Sequence, residues 1–145
     1  MPSRVLNWDV HVTTWAIAQR GRPFIWGETD CGSLTREGHR VMYGRDLYED
    51  IGSWLTAYSA SRILVEHHGF GAILRSRGAL AVPYHSLQTG DVVLGDAPGR
   101  AAALVVAGRL LIADEEGGVL LEEAPATVAG EAAVYRLPWT VSLDG

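Results

Sequence analysis

The hydrophobic pattern of this chain changes period once, close to Leu87-Gln88-Thr89-Gly90-Asp91, and that change limits the fold more than any other feature. Ahead of it, apolar residues recur at helical spacing; behind it they form short runs separated by glycine-rich turns. Trp8, Val12, Trp15 and Ala16 share one face of a helix that Asn7 is placed to cap and that Gly21 and Pro23 end. A second helix is expected from about Asp30 to Tyr43, with Cys31, Leu34, Thr35, Gly38, Val41 and Met42 along one face and Gly44 as its stop. Ile51, Trp54, Leu55 and Tyr58 read as a short helix, and Ser61–His68 as another, stopped by Gly69. Beyond the change, Val92-Val93-Leu94 reads as a buried strand and 101–107 with 109–113 as a hairpin around Gly108. Residues 119–123 and 132–137 are further strands, with turns at Pro98-Gly99 and Glu115-Glu116-Gly117-Gly118. Helices first and strands afterwards imply an α+β domain, its N-terminal helices packed on a small, mainly antiparallel sheet.

With 145 residues and no internal repeat or linker, the chain is expected to form a single domain over residues 1–145. A net charge of -5 argues against nucleic acid and anionic membrane surfaces as partners. No apolar run approaches the roughly 20 residues that span a bilayer, so membrane insertion is not expected. Met1-Pro2-Ser3-Arg4-Val5 lacks the apolar core of a signal peptide, so synthesis in a cytoplasm is expected, with later incorporation into a particle compatible with it. One cysteine excludes an internal disulfide and a multi-cysteine zinc site. The Glu115-Glu116 and Glu122-Glu123 pairs read as solvated turn and edge charges, so neither a metal nor a cofactor is expected.

That cysteine, Cys31, lies where the apolar, glycine-punctuated loop Pro23-Phe24-Ile25-Trp26-Gly27-Glu28-Thr29-Asp30 enters the second helix. A thiol there feels the positive end of the helix dipole, which favours the reactive thiolate. Cys31 is therefore the candidate nucleophile, although a small core residue facing Leu34 and Gly38 is the simpler reading. Asp30 is placed to cap the helix and Asp91 to close a turn through its side chain. Phe24, Trp26 and Trp54 are the candidate binding residues; the simpler reading makes them anchors packed on the core. The five tryptophans read most simply as core filling; the alternative makes some of them interface anchors.

The order of these motifs resembles the NlpC-type branch of the papain-like cysteine peptidases. There, a tryptophan-glycine loop precedes an Asp-Cys pair that starts a helix, and a Gly-Asp followed by apolar residues opens the first core strand. Trp26-Gly27, Asp30-Cys31 and Gly90-Asp91-Val92-Val93-Leu94 match in that order, over roughly residues 20 to 125. The chain is more similar still to short phage and prophage tail-tip proteins related to that family. It shares with them Gly44-Arg45-Asp46, Trp54 with Tyr58, the Gly90-Asp91-Val92-Val93 strand, Ala103-Leu104-Val105-Val106-Ala107-Gly108 and an end near Trp139. The resemblance implies an NlpC/papain-like fold, a location in the virion tail, and partners among the hub, distal tail and tape-measure proteins, with peptidoglycan peptide as the substrate of active relatives.

The departure from the pattern bears on activity. Active NlpC-type enzymes carry the catalytic histidine at the start of the strand after the Gly-Asp strand, where this chain has Ala101-Ala102-Ala103. The polar residue that orients the imidazole lies on the following strand, here Leu110-Leu111-Ile112-Ala113 with Asp114 just past it. Without a general acid–base group such a reaction is slower by about 10²–10⁴-fold. His39 is on the helix of Cys31 but eight residues on, about 12 Å along the axis. His11 reads as solvated, and His67 with His68 as cations at a helix end. His85 is the least unfavourable substitute, if its loop folds over the cleft. The expectation is a tail-tip structural or assembly protein, catalytically inactive. The alternative is an active cysteine peptidase or amidase that cuts peptidoglycan during DNA delivery; a third reading keeps the cleft as a peptide-binding site.

Overall fold

The computed structural model describes residues 2–95, 102–125 and 132–141 of the chain. A short strand β1 (Ser3–Arg4) leads into helices α1 (Trp8–Gln19) and α2 (Cys31–Tyr43). A 3-10 turn (Glu49–Ile51) is followed by α3 (Ala57–Glu66), α4 (Phe70–Ser76) and β2 (Leu80–Ala81). A second 3-10 turn (Tyr84–Ser86) precedes β3 (Val92–Leu94), β4 (Ala103–Val106), β5 (Arg109–Asp114), β6 (Gly118–Glu123), β7 (Ala133–Arg136) and β8 (Thr140–Val141). Six strands form one antiparallel sheet in the order β2-β7-β3-β4-β5-β6, and β1 pairs in parallel with β8 apart from it. The protein is thus an α+β fold in which four N-terminal helices pack against an antiparallel sheet.

Strand alternation divides the apolar residues between the two faces of the sheet. Val92, Leu104, Val106, Leu111, Ala113 and Val119 join Val12, Ala16, Leu34, Met42, Ile73 and Leu74 in the main core, between sheet and helices. Val93, Val105, Leu110, Ile112 and Val134 form a second cluster on the opposite face, against which Val82, Tyr84 and Leu87 pack. α2 lies closest to the sheet because Gly38 has no side chain: a Cβ there would stand 2.2 Å from Leu104 Cδ2 and 3.0 Å from the Trp15 ring.

The five expected strands form as β3 to β7, but β1, β2 and β8 were not expected, and four helical expectations need correction. Asn7 does not cap α1; it adopts a left-handed conformation, φ 59°, and its side chain accepts no cap hydrogen bond. Trp54 and Leu55 lie outside any helix, because Thr56 starts α3 with a capping box formed with Ser59. Residues 57–66 therefore form one helix where two short ones were expected, and α4 is an additional helix. The expected turn at Pro98-Gly99 and the strand residue Ala101 lie outside the described residues.

Candidate functional site

Residues 21–30 are held by hydrogen bonds in front of α2. Gly21 N–H donates to the Val119 carbonyl at 2.9 Å and Val119 N–H donates to the Arg22 carbonyl at 2.9 Å, which ties the loop to β6. The Thr29 hydroxyl, wholly buried, accepts from Ile25 N–H at 2.7 Å and donates to the Pro23 carbonyl at 2.7 Å. Asp30 gathers what remains. Its carboxylate accepts from Ser33 N–H at 3.0 Å, as the helix cap expected of it, and from the Ser33 hydroxyl at 2.7 Å. It also accepts from Gly27 N–H at 2.7 Å and from Trp54 Nε1–H at 3.0 Å. Three of these four donors converge on Oδ2 and one on Oδ1, so Asp30 joins the loop, α2 and the segment before α3.

Cys31 is the first residue of α2 and is half-buried. It stands in the wall of a cavity of about 250 Å³ with Phe24, Trp26, Trp54, Phe70 and Ile73. The loop, α2, α3 and α4 all contribute to it, and Glu115, from the turn after β5, reaches its edge. All four residues singled out from the sequence, Cys31, Phe24, Trp26 and Trp54, therefore meet in one place. Phe24 and Trp26 pack edge to face with centroids 5.0 Å apart. None of the five tryptophans is exposed; the large exposed apolar side chains near the cavity are Ile25, Leu55 and Tyr58.

No histidine is among the described residues that line this cavity. His39 is fully buried with both ring nitrogens engaged: Nε2 with the Gly90 carbonyl at 2.9 Å and Nδ1 with the Tyr48 hydroxyl at 2.7 Å. A carbonyl only accepts, so Nε2 carries the proton and Nδ1 accepts from Tyr48. Burial pushes the His39 pKa down to about 4, so the ring is neutral near pH 7. His11, His68 and His85 are exposed. The turn that carries His85 packs through Tyr84 on the sheet face away from the helices, so its loop does not fold over the cavity. At the head of β4, Ala102 is buried in the helix-side core, and Leu111 and Ala113 of β5 face the same way.

A second, larger cleft of about 650 Å³ shares Trp54 with the cavity beside Cys31 and is lined by Trp15 and Gln19 of α1 and by charged residues of the 21–30 loop, α2 and the turn at Asp46. Its arginines are each matched by a carboxylate: Arg36 with Asp46 at 2.6 Å, Arg40 with Glu37 at 3.4 Å and Arg22 with Glu28 at 3.6 Å. Arg36 holds Asp46 through both nitrogens of its fork and donates a third bond to the Gly52 carbonyl. Asp91 closes its turn by accepting from Gln88 N–H at 2.9 Å, and Arg136 of β7 grips the same buried carboxylate from Nε at 2.9 Å and Nη2 at 2.8 Å. Sequence reasoning missed Arg36, Tyr48 and Arg136, and read Glu115 as a solvated turn charge. Asp46, in the Gly44-Arg45-Asp46 turn, and Asp91, after Gly90, stood in motifs that drew attention.

A family model described as a domain of unknown function, DUF6950, matches residues 3–132, and the chain belongs to that family. No curated protein matches the chain.

Proposed function

We propose that this member of the DUF6950 family is a structural or assembly subunit of a bacteriophage tail tip, built on an NlpC-like, papain-like fold whose peptidase site has lost its base. The reading joins the resemblance to phage tail-tip proteins with the geometry around α2. A cysteine leads a helix that packs on an antiparallel sheet, and the Gly-Asp strand β3 runs beside β4. The observation that carries the inactive reading is Ala102, a buried methyl group facing the helices at the strand head where an active relative presents imidazole. Leu111 and Ala113 of β5 are equally unable to orient one. A peptidase needs an acid to protonate its leaving amine, and an alkyl group cannot supply it. The partners under this reading are hub, distal tail and tape-measure proteins, and the location is the virion tail after synthesis in the host cytoplasm.

The competing reading, a cysteine peptidase or amidase acting on peptidoglycan, is favoured by one feature: Cys31 opens α2, where the helix dipole stabilises a thiolate. Digestion of purified murein by the wild type and by Cys31→Ala separates the two. The expected outcome is no release of stem peptides by either protein, together with recovery of the chain in purified tail particles. Release that disappears in Cys31→Ala overturns the inactive reading.

A further inference from the structure

The cavity beside Cys31 has features that specify an occupant. Its volume, about 250 Å³, exceeds the roughly 150 Å³ that accommodates benzene in an engineered apolar cavity. Its walls include Phe24, Trp26, Trp54 and Phe70, and one side is closed by α3, a helix that buries none of its own residues. Exposed apolar residues follow two of the lining residues in the chain, Leu55 after Trp54 and Tyr58 after Ala57. Leu55 is 78% exposed and lies against Gly27, with its Cδ2 3.1 Å from where a Cβ would stand, and Tyr58 beyond it is 73% exposed. An aromatic-walled cavity with exposed apolar residues beside its lining segments in the chain suits a side chain that arrives on a polypeptide rather than an isolated small molecule.

Charge narrows the choice. Asp30 also lines the cavity, but it is 2% exposed and its carboxylate is held by four donors of the fold, so it offers a partner little accessible surface. Glu115, at the cavity edge, is exposed and makes no ion pair with any described residue. We propose that the cavity is a socket for a large apolar side chain of a partner polypeptide, whose adjacent lysine or arginine pairs with Glu115. This rests on the reading of the domain as a binding subunit and names the chemistry its partner presents.

The capped tetrapeptide acetyl-Gly-Phe-Lys-Gly-amide tests the assignment, titrated into the full chain and followed by calorimetry and by the fluorescence of Trp26 and Trp54. Saturable millimolar binding is expected. Glycine in place of the peptide's phenylalanine abolishes saturation, and glutamate in place of its lysine weakens binding roughly threefold or more. Ala60→Trp fills the cavity from α3 and abolishes binding. Glu115→Gln, on an exposed turn outside the core, keeps the phenylalanine requirement but removes the difference between lysine and glutamate peptides. No saturation with the phenylalanine–lysine peptide, or equal affinity for the glutamate peptide in the wild type, overturns the assignment. Murein digestion by the same preparations keeps the two ideas apart. Absent binding with absent cleavage overturns the socket alone; cysteine-dependent cleavage overturns the structural function.

Discussion

His39 shows how one buried side chain makes the fold depend on pH. Its ring stacks against Tyr48 with centroids 5.8 Å apart, and its two hydrogen bonds join α2 to Tyr48, ahead of the first 3-10 turn, and to the turn before β3. Burial is the largest cause of its lowered pKa; nearby Arg4 lowers it further, while the Gly90 carbonyl and Asp91 raise it. In the unfolded chain the imidazole titrates near its ordinary value of about 6.5. Between that value and about 4, the unfolded state binds more protons than the folded state. The contribution of neutral His39 is therefore fully present above about pH 6.5 and is lost as pH falls toward 4. The loss at pH 4 amounts to about 3 kcal/mol. Urea unfolding across pH 4–7 is expected to give a flatter profile for His39→Gln than for the wild type, with lower stability at pH 7 from the poorer hydrogen bonding. Parallel profiles would show that His39 is not the group responsible.

At the scale of elements, the β4–β5 hairpin carries a local strain that the rest of the sheet overrides. Its two-residue turn, Ala107-Gly108, places both residues at positive φ, 51° and 76°. This is the type I′ geometry that matches strand twist, and alanine is a poor occupant of its first position. Left-handed backbone costs an L-residue with a Cβ about 1 kcal/mol, and asparagine tolerates it better. Ala107 is exposed, so no packing opposes a change. Ala107→Asn is expected to stabilise the protein by about 0.5–1 kcal/mol, read as a rise of a few degrees in thermal unfolding. An unchanged or lower Tm would contradict this account of the turn. The same hairpin explains what was legible beforehand. The apolar runs Leu104–Val106 and Leu110–Ile112 state two strands through residue type alone, with Gly108 marking the turn, and they meet as Leu104 beside Leu111 and Val105 beside Leu110. Asp30 likewise declared the start of α2. The boundary of α3 was not legible, because its capping box uses Ser59 where glutamate or glutamine is the usual signal. α4 was hidden by Gly69, Gly71 and Gly78, which depress helix propensity around a segment that the core nevertheless holds through Ile73 and Leu74. Within the site, the aromatic loop and Cys31 were legible, whereas Glu115 comes from a turn 84 positions away and only the sheet brings it there.

The whole molecule is closed by a buried arginine that draws residues near both ends of the chain together. Arg4 is 2% exposed. Its guanidinium lies 4.2 Å from the ring centre of Trp8 and 4.1 Å from that of Trp139, and its Nε donates to the Tyr43 hydroxyl at 3.2 Å. Burial lowers its pKa, with the Tyr43 hydroxyl and Asp91 acting in the opposite sense. Gly90, at φ 100°, leaves room for this arrangement; a Cβ there would meet Met42 Cε at 2.5 Å and Arg4 Nη2 at 2.8 Å. Ring faces thus take the place of water around a desolvated cation, and β1 is held beside β8. Trp139→Ala removes one ring and opens the guanidinium on that side, and is expected to cost about 2–4 kcal/mol. Comparing Trp139→Phe with Trp139→Leu separates the attraction of a π face from plain packing, because both fill similar space and only phenylalanine offers a quadrupole. Denaturant unfolding is expected to find the phenylalanine variant more stable than the leucine variant by about 1 kcal/mol. Equal stabilities would mean that Trp139 holds Arg4 by shape alone. A larger loss for leucine, together with faster amide exchange at Ser3 and Thr140, would identify the cation–π sandwich as what keeps β1 against β8.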